Sequence, residues 1–406
     1  MKIAIDAHMV GERETGNETY VVNLLRGLAE LQDKTLAPHP SNHYLALTPH
    51  PEKLRQALSL APHPSNHYLA LMPHPEKLQQ ELSLPPNFGV TRVWPAPSAI
   101  RVPIATPVAA WKARADILHM TTYITPLVAA CPMVVTIHDL SFLEYPQAFS
   151  IRVRAMLRTL VPGSVARARR VIAVSEFTKQ DLVRRYGVPP EKITVTPLAP
   201  APGFSQLVTQ PGMPLPAGVR EPYVLAVGNL EPRKNLARLL DAFAVLVNQR
   251  GFAGALVLVG QSARNSDALR ETAKVRGIES RVIFTGFVTQ PELNLLYNRA
   301  TMFVYPSLYE GFGLPPIEAM ACGCPVVASN VTALPETTGG AALLVDPQST
   351  PELAGAMSAI LERPELARDL QERGRVRAAS LSWAATASRT LAAYDAAAHA
   401  DAVSPR

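Results

Sequence analysis

The chain has 406 residues, about twice the length of a usual domain, which predicts two domains or one large one. Its 48% hydrophobic and 18% charged residues are typical of a globular protein and argue against disorder as a whole. A net charge of +6 permits an anionic ligand or a membrane surface but is too small to predict a nucleic-acid partner. Three cysteines cannot form a disulfide framework, so the composition favours a reducing cytoplasm. No signal peptide is predicted, because the start of the sequence becomes polar within a dozen residues, and no membrane span is predicted, because no apolar run reaches about 20 residues.

The first 200 residues alternate between apolar runs and helical stretches, as in an α/β domain. Lys2–Asp6 predicts a strand, a loop with Gly11 and Gly16 follows, and an amphipathic helix is predicted from about Glu18 to Leu31. Further strands are predicted in the runs DILHM, MVVTIHDLSF, RRVIAVS and KITVTP. Because each run ends in polar residues, the pattern favours a doubly wound parallel sheet with polar side chains at its carboxyl edge.

A tandem repeat interrupts this pattern, because residues 37–60 recur as residues 61–84 with three differences. Each copy predicts one strand, HYLAL, and one short helix, so one copy is interpreted as an insertion. The repeat holds six of the ten histidines, which are His39, His43, His50, His63, His67 and His74. Histidine-rich stretches can bind metal, but duplication alone explains these and no cysteine or carboxylate cluster accompanies them. The stronger interpretation is that they hold no metal.

Residues 197–222 contain seven prolines and little periodicity, which predicts an interdomain linker. Six apolar runs follow, YVLAVGNL, ALVLVG, RVIFTGFV, MFVYPS, PVVAS and AALLVD, and a last helix is predicted from about Trp383 to Ala398. The predicted domains are 1–205, which includes the repeat, and 206–380. Residues 381–406 are predicted to form a C-terminal helix and tail. One arrangement open to this helix is to pack back on the first domain.

The stretch with the most specific pattern is YPSLYEGFGLPPIEAMACGCPVVAS at 305–329, in which Glu310 and Glu318 are eight residues apart. Glycines and prolines between them predict a turn and then a helix N-terminus, where free backbone N–H groups attract an anion. Glu310 is expected in the turn and Glu318 two turns into the helix, so that both address one extended polar ligand. The alternative, a solvated helix face, is disfavoured by the apolar residues around them.

This segment resembles the E-x7-E motif of retaining glycosyltransferases with the GT-B fold, in the large family called glycosyltransferase family 4. The resemblance covers most of the chain. It includes the N-terminal glycine loop, the strand end with Thr136, His138 and Asp139, the segment Ser175–Thr178, GNLEPRKN at 228–235 and the GFV turn at 286–288. It implies an α/β fold with two Rossmann-like, doubly wound domains that face a central cleft.

The resemblance also implies a role for each matching residue. Glu310 is expected to bind hydroxyls of the donor sugar, and Glu318 the ribose hydroxyls of the nucleotide. The remaining donor-binding positions implied are Gly16, Asn229, Val288 and the backbone amides around Phe312, Gly313 and Leu314. Because the first loop reads TGNETY where the family has further glycine or arginine, acceptor contacts from this loop are left open.

Three further residues complete the predicted catalytic set. Arg233 and Lys234 follow a predicted strand, and a fixed pair of cations stabilises the charge that develops on a diphosphate leaving group, the task that the family gives this pair. In isolation the alternative is a solvated surface pair. The family places the histidine equivalent to His138 beside the donor sugar, whereas a lone histidine is more often a core residue. The predicted catalytic residues are His138, Arg233, Lys234 and Glu310, with no metal.

The predicted function is a cytoplasmic, metal-independent retaining glycosyltransferase without a cofactor, involved in polysaccharide biosynthesis. It moves a sugar from a nucleotide-diphosphate donor to a hydroxyl of a glycan or a lipid-linked acceptor, and the IHDL strand end resembles mannosyltransferases that use GDP-mannose. The alternatives are an epimerase or phosphorylase of the same fold, and a sugar-nucleotide-binding protein without transferase activity. An NAD oxidoreductase is disfavoured, because no G-x-G-x-x-G follows the first strand.

One basic stretch bears on the partners of the chain. Six arginines lie between residues 152 and 170, around an apolar helical segment. They predict either peripheral contact with anionic lipid at the inner face of the membrane or a solvated helix face, and the second interpretation is the stronger. No nucleic-acid partner is expected.

Overall fold

The computed structural model describes residues 1–10, 16–34, 43–48, 88–94, 98–208, 215–261 and 266–399. The chain divides into two compact units. Unit 1 comprises Met1–Phe142, Ile151–Leu198 and Trp383–Arg406, and unit 2 comprises Leu143–Ser150 and Ala199–Ser382.

Each unit contains one parallel sheet. The strands of unit 1 are β1 Lys2–Asp6, β2 His43–Thr48, β3 Phe88–Arg92, β4 Ile117–Met120, β5 Met133–Ile137, β6 Arg170–Ala173 and β7 Ile193–Val195. The strands of unit 2 are β8 Tyr223–Val227, β9 Ala255–Val259, β10 Val282–Gly286, β11 Met302–Tyr305, β12 Val326–Ser329 and β13 Leu343–Val345. All of these strands except β3 coincide with predicted apolar runs, because strands covered by helices on both faces are apolar over their whole length. The strand β3, with the sequence FGVTR, was not predicted.

The α-helices in chain order are α1 Gly16–Lys34, α2 Ser98–Ile100, α3 Thr106–Lys112, α4 Ser141–Glu144, α5 Ile151–Arg167, α6 Glu176–Tyr186, α7 Leu236–Arg250, α8 Ser266–Val275, α9 Gln290–Arg299, α10 Leu314–Ala321, α11 Leu334–Thr338, α12 Thr350–Glu362, α13 Pro364–Ala379 and α14 Trp383–His399. A π-helical turn, Arg101–Ala105, joins α2 to α3. Short 3₁₀ turns occupy Pro146–Ala148, Pro190–Lys192, Pro216–Gly218, Pro232–Lys234 and Glu279–Arg281.

Both sheets have the doubly wound strand order. Unit 1 runs β3-β2-β1-β4-β5-β6-β7 and unit 2 runs β10-β9-β8-β11-β12-β13, with all strands parallel. The order therefore reverses between β1 and β4 in unit 1 and between β8 and β11 in unit 2. Ligands of such sheets bind outside the carboxyl ends of the strands at this reversal.

The last helix, α14, belongs to unit 1 and packs against α1. Gly27 of α1 permits this contact, since a β-carbon there would lie only 2.5 Å from the carbonyl oxygen of Trp383. The helix α1 is longer than predicted at both ends. The prediction followed the apolar face of the helix, which ends at Leu31, whereas the helix itself continues through polar residues to Lys34. The chain thus returns to its first unit after completing the second.

A buried chain of hydrogen bonds also ties α14 to the sheet of unit 1. The Tyr394 hydroxyl lies 2.6 Å from Nδ1 of His119, whose Nε2 lies 2.8 Å from Oγ1 of Thr136. Oγ1 of Thr136 in turn lies 3.0 Å from the Tyr20 hydroxyl on α1. Burial lowers the pKa of His119 to about 3, so the ring is neutral at physiological pH.

The proline-rich segment differs in part from its interpretation as a linker. Residues 199–208 belong to unit 2, where Phe204 packs edge-on against Tyr297 with ring centroids 5.7 Å apart. The backbone N–H of Ser205 also donates to Oδ1 of Asn294 at 3.3 Å. A high proline content predicts irregular backbone, as found here. This irregular segment is nevertheless packed, because its side chains contact residues of unit 2.

The tandem repeat is described only in part. Its first HYLAL run forms β2, which lies between β1 and β3. The second copy and the side chains of all six repeat histidines lie outside the described residues. The prediction that these histidines hold no metal therefore stays a prediction. Within the described ranges no three His, Cys, Asp or Glu side chains are grouped to hold a metal ion. None of the described helices has the length and apolarity to cross a membrane.

Candidate functional site

The predicted catalytic residues of unit 2 lie at the reversal of its strand order. After β8 the chain enters the 3₁₀ turn Pro232–Lys234, and the neighbouring strand β11 ends at Tyr305. Residues that follow these two strands therefore share the carboxyl edge where ligands of doubly wound sheets bind. A small cavity at this edge is lined by Gly228, Lys234 and Tyr305, among others.

Lys234 is the centre of a buried hydrogen-bonded triangle. Its Nζ lies 2.6 Å from Oε1 of Glu310 and donates to the Tyr305 hydroxyl at 2.6 Å. The same hydroxyl donates to Oε1 of Glu310 at 3.0 Å. Gly228 makes room for the lysine, since it has a φ of +140° and a β-carbon there would lie 3.3 Å from the Lys234 side chain.

Arg233 binds the other oxygen of the same carboxylate. Its Nη1 lies 3.2 Å from Oε2 of Glu310, and its Nε donates to Oε2 of Glu231 at 2.9 Å. Burial disfavours ionisation of Glu310, but Lys234 and Arg233 outweigh it and lower its pKa to about 2. The three residues predicted as catalytic in this unit therefore form one ionised cluster, which we call the Lys234 cluster.

Asn235 fixes the turn that carries the two cations, and Thr332 fixes the backbone of Glu310. Asn235 adopts a left-handed conformation with a φ of 58°, and its side-chain amide donates to the carbonyl oxygens of Pro306 at 3.1 Å and Pro347 at 2.7 Å. The backbone N–H of Glu310 donates to Oγ1 of Thr332 at 3.2 Å. Both ends of the cluster are thus fixed by neighbouring loops, which limits the reorganisation needed when charge develops there.

The glycine-proline turn between the two glutamates caps α10. Gly313 is the N-cap with a φ of +99°, where a side chain is strained, and a β-carbon would lie 2.7 Å from Leu334. Pro315 and Pro316 have no N–H groups. The amides that this helix end offers to an anion are therefore those of Gly313, Leu314 and the residues immediately before them.

Glu318 lies one turn into α10 rather than the expected two, and its environment is different from that of Glu310. It is 8% exposed, and burial raises its pKa to about 7 against a smaller opposing effect of the Tyr297 hydroxyl. Among the described residues, no hydrogen bond or ion pair joins Glu318 to the Lys234 cluster. The structure therefore does not bring the two glutamates of the motif into contact.

His138 lies at the carboxyl edge of unit 1. Its Nε2 donates to the carbonyl oxygen of Thr121 at 2.9 Å, so that Nδ1 is the acceptor nitrogen of the neutral ring. Tyr20 packs edge-on against the ring at a centroid distance of 4.8 Å, and burial lowers the histidine pKa despite the opposing effects of Thr121 and Asp139. Asp139 accepts hydrogen bonds from the backbone N–H and the hydroxyl of Ser141, the first residue of α4.

The other predicted donor-binding residues occupy varied positions. Gly16 is the exposed first residue of α1 in unit 1. In unit 2, Asn229 is exposed just after β8, Val288 is buried just before α9, Phe312 is buried, and Leu314 is the half-buried first residue of α10. Their roles in donor binding stay predictions.

Sequence reasoning missed several residues that the structure adds to these two edges. Tyr305 and Thr332 complete the surroundings of Glu310, but nothing in the sequence distinguishes a strand-ending tyrosine or a loop threonine from others. Asp6 and His8 form a hydrogen-bonded pair after β1. The sequence did indicate this pair, because a predicted strand that ends in Asp6 and is followed by Ala7 and His8 places two ionisable groups at the carboxyl edge of a sheet.

Comparison with known proteins supplies an independent line of evidence. Residues 15–199 match the family model described as Glycosyltransferase Family 4, and residues 215–377 match the one described as Glycosyl transferases group 1. The chain is 34% identical over 267 residues to O-antigen chain mannosyltransferase B of Escherichia coli. That match covers 64% of this chain and 69% of the relative.

Solved structures resemble the whole chain. Sucrose-phosphate synthase from Thermosynechococcus elongatus is 25% identical with a TM-score of 0.68, over 97% of this chain and 98% of that chain. Anabaena HepE in complex with UDP-glucose is 20% identical with a TM-score of 0.67, over 97% of this chain and 99% of that chain. The second likeness is one of fold alone.

Proposed function

We propose, on the premise that the chain belongs to the family 4, group 1 glycosyltransferases and has their GT-B fold, that it transfers mannose from GDP-mannose with retention of configuration. Glycosyltransferase activity follows from membership of the family. The donor and the stereochemistry are the proposed part. The acceptor is a hydroxyl of a glycan or of a lipid-linked glycan, as suits a relative of an O-antigen chain mannosyltransferase.

The Lys234 cluster is the observation that carries this proposal. It places two cations, Arg233 and Lys234, beside a helix end whose amides attract an anion, at the strand reversal of unit 2. A diphosphate bound there gains negative charge on its leaving oxygen as the glycosidic bond breaks, and the two cations stabilise that charge. Glu310 fixes both cations before reaction, and its remaining hydrogen-bonding capacity is directed to hydroxyls of the donor sugar.

The proposed chemical step needs no enzymatic nucleophile. The acceptor oxygen forms a bond to the anomeric carbon on the face from which the phosphate departs. The bond from that carbon to the phosphate oxygen breaks, and the acceptor proton passes to the departing phosphate. Arg233 and Lys234 supply the neutralisation that a metal ion gives in other transferases, so we propose that the reaction is independent of metal.

A ligand screen tests the donor directly. A ligand that binds only the folded state adds about 2.7 kcal/mol of stability at a hundredfold excess over its Kd. Thermal shifts are measured in EDTA with GDP, UDP, ADP and their common sugar conjugates, for the wild type and for Arg233→Ala. We expect the largest shift with GDP-mannose, reduced in the variant. A larger shift with another nucleotide sugar overturns the donor assignment, and no shift with any of them favours a protein without transferase activity.

The stereochemistry is tested by the product. With GDP-mannose and octyl α-D-mannopyranoside as an acceptor probe, NMR of the new disaccharide reports the anomeric configuration. The α-anomer is expected, since the mannose of GDP-mannose is α-linked, and the β-anomer contradicts retention. Activity that EDTA abolishes and Mn²⁺ restores contradicts metal independence.

We also propose that unit 1 contacts an anionic membrane surface, through an exposed apolar stripe. Four apolar side chains spaced three or four residues apart lie exposed on one side of the helical segment 98–112. They are Ile100, Ile104, Val108 and Trp111. Such a stripe is unusual on the solvent side of a helix. The sequence from 82 to 115 contains no acidic residue, while Lys112 and Arg114 follow the stripe.

Vesicle flotation tests this surface. Vesicles of phosphatidylglycerol and phosphatidylcholine are mixed with the wild type, with Trp111→Glu and with Val376→Glu, a matched change at an exposed apolar residue of unit 2. We expect Trp111→Glu to lose most of the bound fraction and Val376→Glu to retain it. Equal binding by both variants, or none by the wild type at low salt, contradicts the surface.

A further inference from the structure

Asp6 ends the central strand β1 at the point where the strand order of unit 1 reverses. Its backbone oxygen accepts a hydrogen bond from Oγ1 of Thr121, the residue after β4, at 2.7 Å. The backbone oxygen of Thr121 accepts from His138, which follows β5. The ends of three adjacent strands are therefore linked into one polar edge, where a doubly wound sheet binds its ligand.

His8 is oriented by this strand end. Its Nδ1 lies 2.7 Å from Oδ2 of Asp6, and because a carboxylate accepts, Nδ1 carries the proton. In the neutral ring Nε2 is then the acceptor nitrogen, with no partner among the described residues. The side chain of His8 is 16% exposed, which leaves this edge of the ring open to a ligand.

Asp6 is an unusual residue to bury in a strand end. Its side chain is 1% exposed, and Oδ1 has no hydrogen-bond partner among the described residues. Burial disfavours its ionised form, but His8 and, more weakly, the positive charge of Arg101 outweigh burial and lower its pKa. A buried carboxylate oxygen without a partner lowers the stability of the fold, so its presence calls for an explanation. Orientation of an imidazole toward a substrate is such an explanation.

We propose that His8 binds the acceptor sugar, with Nε2 accepting a hydrogen bond from a hydroxyl of that sugar other than the one that is glycosylated, and that Asp6 is the positioning residue that fixes the ring. The inference rests on the proposed function and adds an acceptor site to it. Unit 2 already holds the cations and helix end proposed for the donor diphosphate. An acceptor nitrogen requires a donor group, and a sugar hydroxyl supplies one.

A purely structural role is the competing explanation, since the pair also fixes the residues after β1. The two differ in kinetics. A lost acceptor contact raises the KM for the acceptor and leaves the KM for GDP-mannose and its slow hydrolysis by water intact, whereas loosened structure lowers the melting temperature and changes all three. His8→Gln retains an acceptor oxygen and His8→Leu does not, so the two variants separate hydrogen bonding from packing.

Transfer from GDP-mannose to octyl α-D-mannopyranoside is measured for the wild type, His8→Leu, His8→Gln, Asp6→Asn and the exposed control His399→Gln. Loss of one hydrogen bond predicts a rise of about tenfold in the acceptor KM for His8→Leu, and a smaller rise for His8→Gln and Asp6→Asn. The KM for GDP-mannose is expected to stay within about twofold, and His399→Gln to match the wild type. Equal effects on donor and acceptor, or no effect, overturn the proposal.

A binding measurement keeps this test separate from the proposed function. Saturation-transfer NMR follows octyl α-D-mannopyranoside on the full chain without any nucleotide. Binding by the wild type that His8→Leu abolishes supports the acceptor site even if GDP-mannose is not the donor. Binding that His8→Leu leaves unchanged overturns it, whether or not GDP-mannose is turned over.

Discussion

Glu310 and Glu318 stand eight residues apart in the chain but in opposite electrostatic environments. Two cations hold the pKa of Glu310 at about 2, whereas burial without a cation raises that of Glu318 to about 7. One carboxylate of the motif is therefore permanently ionised at neutral pH, and the other is near its midpoint. The two glutamates are not interchangeable, and their substitutions are expected to have different consequences.

Replacement of Glu310 by glutamine leaves Lys234 and Arg233 without their counter-charge. Removing one partner of a buried ion pair costs about 3–5 kcal/mol. We expect a lower melting temperature and a fall in transfer of about 100-fold, the scale observed when a preorganised polar group is lost. GDP affinity is expected to stay the same or rise, because the two cations remain.

The matched control for that variant is Glu362→Gln, which removes an exposed ion pair with Arg250 at 3.5 Å. Such surface pairs contribute less than about 1 kcal/mol. Calorimetric titration with GDP and a thermal melt of each variant check the prediction. A parallel loss of GDP affinity and transfer in Glu310→Gln would contradict the assigned roles.

GDP binding is expected to depend on pH through Glu318. A carboxylate that accepts the ribose hydroxyls must be ionised, so binding favours release of its proton. Below its pKa of about 7 the affinity should rise with pH by up to about tenfold per unit, and it should level off above. Calorimetry between pH 6 and 8 in two buffers of different ionisation enthalpy measures both the affinity and the released proton. Glu318→Gln should retain only the titration of GDP itself.

The sequence was sufficient for most of the fold, for a physical reason. Strands such as β5 and β9 are apolar over their whole length because helices cover both faces, and such runs are visible without a structure. The helices α12 and α13 were not predicted, although the sequence carries start signals for both: Ser349 and Glu352 at the spacing of a capping box for α12, and Pro364 for α13.

The candidate site was predictable as a set of residues but not as an arrangement. Glu310 and Lys234 are 76 residues apart, and their 2.6 Å contact depends on which strands become neighbours. Their hydrogen bonds to Tyr305 depend on side-chain directions at the end of β11. The pair Asp6 and His8 is local and could have been inferred from the sequence, because only Ala7 lies between them.

The packing of α1 on α14 predicts a sharp difference between two glycine substitutions. Gly27→Ala places a methyl group 2.5 Å from the Trp383 oxygen, an overpacking that costs about 1–3 kcal/mol. Gly355→Ala, in α12, meets no atom within 4 Å and should stabilise the protein by about 0.5–1 kcal/mol through helix propensity. Urea unfolding of both variants measures the difference. Equal stability of the two would mean that the helices do not pack as described.

Unit 1 is expected to lose stability on acidification through His119. Its pKa falls from 6.5 in the unfolded chain to about 3 when folded, so the unfolded state binds more protons between these values. The free energy of unfolding should therefore rise with pH between about pH 3 and 6.5 and then level off. A pKa shift of this size corresponds to a total rise on the order of a few kcal/mol. Chemical denaturation across this range, with His119→Asn and the exposed control His399→Asn, tests it. A slope as steep in His119→Asn as in the wild type contradicts the assignment.

The return of α14 to unit 1 has a consequence for synthesis of the protein on the ribosome. The first strands emerge early, but the helix that covers Gly27 and bonds to His119 is translated only after the whole of unit 2. Domains generally fold in the order in which they are made. Here the domain that begins first reaches its complete set of contacts last, so a ribosome that stalls before residue 383 leaves a finished second domain attached to an unfinished first one.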